Sequence, residues 1–130
     1  KINAAVKTAN AVSVELWFKP AVLAQSGPAR LVSLGYTNYE LTNLNIMHGP
    51  AGCGDGSAGA FIQMRVGGDG NACPALAVPA RPNVTGQLQH VVFTQDARTW
   101  VLYSDGVASI SGTTDKTPAG WNDEAGLALG

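Results

Sequence analysis

With 130 residues the chain has room for one domain around a single core, and not for two. Hydrophobic residues at 45% exclude a disordered chain, and charged residues at only 13% argue against a helical protein, whose solvent faces carry more charge. The net charge is −1 and the eight basic residues are scattered, which excludes nucleic acid as a partner, and no apolar run approaches the roughly 20 residues of a membrane span.

The chain opens KINAAVKTAN, with neither a methionine nor an apolar signal region, as a processed product or a fragment would. Helical periodicity is nearly absent. Runs of period two recur about every ten residues between Gly, Pro, Asn and Asp clusters, which predicts an all-β sandwich of antiparallel strands. In AVSVELWFKP, Val12, Val14, Leu16 and Phe18 share one face and Ser13, Glu15, Trp17 and Lys19 the other; Pro20 cannot donate to a continuing ladder and ends the strand. Residues 25–29 form a turn, 30–35 a short buried strand, and 39–47 a longer one that aligns Leu41 with Asn43 and Asn45.

The glycine-rich stretch 48–59 reads as a long surface loop, since glycine permits positive φ at little steric cost. A hairpin follows, with strands 60–66 and 71–78 about a turn at 67–70. Cys53 and Cys73 either form a disulfide in an oxidising compartment or stand as two buried thiols. A bridge requires the glycine loop to fold back over the hairpin until the Cα atoms lie within about 7 Å. In the chain-entropy model it would stabilise by roughly 3 kcal/mol. The two cysteines with His48 and His90 match no zinc spacing. Residues 79–87 are a proline-rich connection holding the sequon Asn83-Val84-Thr85, a sign of exposure.

LQHVVFTQD places Leu88, His90, Val92 and Thr94 on one face and Gln89, Val91, Phe93 and Gln95 on the other. Residues 96–99 turn, 100–105 return, Asp105-Gly106 marks a hairpin, and VASISG is the third strand of a meander. His90 lies mid-strand with no nucleophile or carboxylate placed beside it by the sequence, so it reads as a hydrogen-bonded structural histidine. Trp17 and Trp100, also mid-strand, read as packing residues.

Four blocks, VSVELWFKP (12–20) with GPARLVSLG (27–35), LQHVVFTQD (88–96), WVLYSDGV (100–107) and GWNDEAGLALG (120–130), occur in an order that resembles a laminin-G-like domain of the concanavalin A-like lectin/glucanase superfamily. Region 48–80 carries no such block. Ser104 stands where similar domains have valine in LYVDG, and Leu88-Gln89 where they often have tryptophan before the HV pair. The resemblance implies a two-sheet jelly-roll sandwich, one domain over 1–130, in an extracellular, cell-surface or periplasmic setting. Similar domains begin with a further strand or two and end with a pattern like IDEVRIYNRAL, which does not follow Gly130, so the resemblance implies a jelly roll whose terminal strands lie outside residues 1–130. The expectation is a longer chain, self-association or a partner polypeptide that completes the sheet.

For function, the resemblance implies a non-catalytic module that binds glycan, or a structural and adhesive module that binds extracellular protein. Sugars stack their CH faces on aromatic rings and bond to Asn, Asp and Gln on loops. Trp121, Asn122 and Asp123 offer that set in loop 118–126, and Tyr36, Asn38 and Tyr39 in 35–40, although Trp121 also reads as a plug for one end of the sandwich. Calcium is the cofactor the resemblance implies, with Asp55, Asp69 and Asp123 as ligands; none lies in a D-x-D-x-D-G loop, and each also suits a turn. Glycosidases of this fold carry an E-x-D-x-x-E run that period two puts on one face; Glu15, Glu40 and Glu124 stand apart, so no enzyme is expected.

Overall fold

A computed structural model describes residues 1–23, 29–35, 42–49 and 85–130, and the backbone alone of 61–66. The expected disulfide of Cys53 and Cys73, the candidates Tyr36, Asn38, Tyr39, Asp55 and Asp69, the strand 71–78 and sequon residue Asn83 lie outside the described residues. The chain orders as α1 (Ile2–Ala9), β1 (Ala11–Phe18), β2 (Ala29–Gly35), β3 (Thr42–Gly49), β4 (Phe61–Val66), β5 (Gln89–Asp96), β6 (Thr99–Ser104), β7 (Val107–Thr113), a 3-10 turn at Pro118–Gly120 and β8 (Gly126–Leu129). The first sheet runs β1-β5-β6-β7 and the second β4-β3-β2-β8, every pairing antiparallel. This is the two-sheet sandwich that the periodicity predicts.

Alternation decides which side chains meet. In β5, Gln89, Val91, Phe93 and Gln95 are buried and His90, Val92 and Thr94 half-buried, so of the two faces that alternation separates, the first is inward. Val91, Phe93, Trp100 and Leu102 of the first sheet pack on Val32, Leu34, Leu44 and Ile46 of the second, with Trp121 at one end. At about 25 cal/mol per Å² of apolar surface, this layer is the main stabilising term. The inward glutamines sit at the strand ends, where loop backbone takes up part of their hydrogen-bonding capacity. Gln95 Nε2 donates to the carbonyls of Ala97 and Lys116 at 2.9 and 2.8 Å, and Gln89 Oε1 accepts from the Thr85 amide at 2.8 Å.

Gly112 lies opposite Trp100, and a Cβ there would stand 2.8 Å from Trp100 Cζ2, so the indole has room only because that position lacks a side chain. The β6–β7 hairpin turns at Asp105 and Gly106 with φ of 50° and 81°, the positive pair that an Asp-Gly turn supplies.

The structure corrects two expectations. Residues 2–9 are an α-helix in a chain whose sequence reads as nearly free of helical periodicity, because Ile2, Ala5, Val6 and Ala9 recur at helical spacing and gain a packing surface. His48 and Gly49 belong to β3 and not to the loop, since both pair with β4.

Candidate functional site

Loop 118–126 begins with Pro118 at the start of the 3-10 turn, and Trp121 follows it into the core. The Trp121 ring is 3% exposed, so it plugs the sandwich and offers no face to a ligand. Asn122 is tied at its backbone to Asn43: its amide donates to Asn43 Oδ1 at 2.7 Å, and its carbonyl accepts from Asn43 Nδ2 at 2.9 Å. Its side-chain oxygen accepts from the Glu124 amide at 2.7 Å, closing a turn. Asn3, on α1, donates from Nδ2 to the carbonyls of Asp123 and Ala125 at 3.1 and 2.7 Å and lies 3.4 Å from Asn43 Nδ2. These asparagines fasten the helix, β3 and the loop together.

Asp123 is exposed, and its two carboxylate oxygens accept from Lys7 Nζ at 2.9 and 2.8 Å. An ion there would have to displace that ammonium. Among the described residues no three His, Cys, Asp or Glu side chains group as metal ligands. The structure therefore brings Asn122 and Asp123 together with α1, and uses Trp121 for packing.

A different constellation appears on the solvent face of the first sheet. The β1–β5 register sets Trp17 opposite His90 and Glu15 opposite Val92. Trp17 is 60% exposed and lies flat against the His90 ring, with centroids 4.4 Å apart and planes 17° from parallel. His90 Nε2 is 2.8 Å from Glu15 Oε1, and the His90 amide donates to Asp105 Oδ1 at 2.8 Å. The histidine is thus held from both sides. Tyr103 pairs with Val92 on the next strand and shares this face, half-buried.

The sequence separates Trp17 and His90 from the residues alternating with them without assigning either face to solvent, gives both a structural reading, and offers no carboxylate for the histidine. Glu15 comes from the neighbouring strand, 75 residues away. Alternation assigns faces and leaves open which strands adjoin. The available signal was the tryptophan on a polar face: Ser13, Glu15, Trp17 and Lys19 point away from the core, and a tryptophan among them is left wet.

Chemically, the arrangement is a fixed aromatic plane beside a carboxylate. It can stack on an apolar ligand face while Glu15 accepts hydroxyl protons. Among the described residues the outward rows of β1 and β5 hold two carboxylates, Glu15 and, opposite Ala11, Asp96; four residues apart along β1, about 13 Å, they are not at the separation of a retaining glycosidase.

No helix among the described residues is long and apolar enough to cross a membrane. No curated protein and no solved structure matches the chain. A laminin-G-type family model matches residues 1–130, and on that match the chain belongs to the concanavalin A-like lectin/glucanase superfamily.

Proposed function

We propose that this domain is a non-catalytic binding module that recognises glycan on the solvent face of the first sheet. The observation that supports it is the 60% exposed Trp17 ring, stacked at 4.4 Å on a histidine that Glu15 and Asp105 hold in place. An exposed tryptophan costs solubility, and one already immobilised loses little entropy when a sugar ring settles on it. The superfamily supports a carbohydrate- or protein-binding role, and an extracellular setting is the one typical of laminin-G-like domains. The test is a glycan array on the wild-type chain and on Trp17→Ala. Binding by the wild type that Trp17→Ala loses, with an unchanged circular dichroism spectrum, is the expected result; no sugar held through Trp17 would end the reading.

A second reading, docking of an extended protein segment, is favoured by the open side of the sandwich. β1 and β8 are both marginal strands of their sheets, and between them lies an apolar groove of about 560 Å³ floored by Val14 and Leu34 and flanked by Val6, Leu127 and Leu129. Among the described residues no strand pairs with the outer edges of β1 and β8, and Leu127 and Leu129 are 50% and 73% exposed, so an alternating apolar segment would gain both ladder bonds and burial. Selection from a peptide library tests it. Alternating apolar sequences whose capture Leu127→Lys abolishes support strand docking, and recovery of none removes it.

A further inference from the structure

We infer that the first sheet's solvent face takes an uncharged, linear oligosaccharide that crosses the strands from Trp17 to Tyr103. This rests on the glycan reading above and specifies its ligand.

The first argument is charge. Outward positions of β1, β5 and β6 follow from the ladders: Trp17 beside His90, then Glu15, Val92 and Tyr103 in one row, then Ser13, Thr94 and Val101 in the next. No lysine or arginine stands in these rows; Lys19 lies past the end of β1, and Arg98, in the β5–β6 turn, is paired with Asp115. A sulfated or uronic glycan needs cations facing it, and here it would meet Glu15 instead. A neutral sugar needs hydroxyl acceptors and a CH-binding surface, which Glu15 and the rings supply.

The second argument is distance. Tyr103 lies two strands from Glu15, about 10 Å at the usual strand spacing, and Trp17 is two residues further along β1, about 7 Å. The two ring-bearing positions are therefore separated by roughly 12 Å on the diagonal, more than one pyranose can bridge. On β5 between them stand His90, stacked on Trp17, and Val92, both half-buried, so a chain of sugars passes over the imidazole and then over an apolar floor. A single sugar engages the Trp17 ring alone, and a chain engages both.

The experiment is calorimetric titration with neutral linear gluco-, manno- and xylo-oligosaccharides from one to six units, and with a heparin hexasaccharide and an oligogalacturonate. Affinity for at least one neutral series should rise about tenfold from one unit to four, the worth of one further stacked ring. Tyr103→Ala should abolish that rise and leave the single-sugar affinity within about twofold, and Tyr103→Phe should restore it. Trp17→Ala should weaken every length. Binding that needs Trp17 but is flat with length, indifferent to Tyr103→Ala, or stronger for the acidic probes overturns the ligand assignment and leaves the glycan reading standing. Absence of any binding that needs Trp17 overturns both. Each variant is checked by circular dichroism, and Trp17, largely solvated, leaves no cavity when truncated.

Discussion

Trp17 and His90 face each other across the β1–β5 ladder at 4.4 Å, and the histidine's far nitrogen rests on Glu15. The tryptophan is thus fixed by its neighbour while remaining open to solvent.

His90→Ala removes that support and leaves the core intact. The prediction is a two- to tenfold loss of glycan affinity, about the worth of one aromatic pair, with thermal stability nearly unchanged. Titration and a melting curve on the same variant check both halves.

Asn43 joins segments 40 and 79 residues away, and both its polar atoms are used. In Asn43→Ala the half-buried Asn122 amide loses its acceptor and its carbonyl a donor, at a cost of about 1 to 3 kcal/mol. Urea unfolding measures the loss, and faster hydrogen exchange within α1 should accompany it. By contrast, Lys7→Ala should cost under about 1 kcal/mol, since the Lys7–Asp123 pair is largely solvated.

How much of this was legible beforehand differs by element. Val12, Val14, Leu16 and Phe18 could be grouped on one face because alternation is a local property of strands, as could Val91 and Phe93, and packing shows that these faces meet in the core. The Glu15–His90 contact was not, because pairing of β1 with β5 is decided by the whole sandwich. Trp121 reads from the sequence both as a ligand-stacking ring and as a plug, and packing decides for the plug. Helix α1 escaped notice because eight residues rich in alanine form a helix only when their apolar side finds a surface.

Gly112→Ala drives a methyl into the Trp100 indole, which is buried and cannot swing away. The expected destabilisation is about 1 to 3 kcal/mol, read from the denaturation midpoint and a changed Trp100 near-ultraviolet signal.

Ala97 holds φ at 48° in the turn between β5 and β6, a region costly for any residue with a Cβ. Ala97→Gly removes that strain but loosens the unfolded chain. The net prediction is a gain of up to about 1 kcal/mol, checked by a rise in melting temperature.

Burial holds the His48 imidazole below its usual pKa of 6.5. The folded chain then binds fewer protons there than the unfolded one. Above about pH 6.5 both forms are neutral and the full stability is present; as pH falls through that value toward the folded-state pKa, stability is lost. Unfolding free energies at about pH 7.5, 6.5 and 5.5 should decline, and the decline should be shallower in His48→Gln.

The anchors of helix α1 impose an order of events during synthesis. Asn3 and Lys7 are translated at least 116 residues before their partners at Asp123 and Ala125. A helix this short is marginal alone, so it must stay untethered while most of the chain is translated. Until then its apolar stripe is open to whatever chaperone meets the nascent polypeptide.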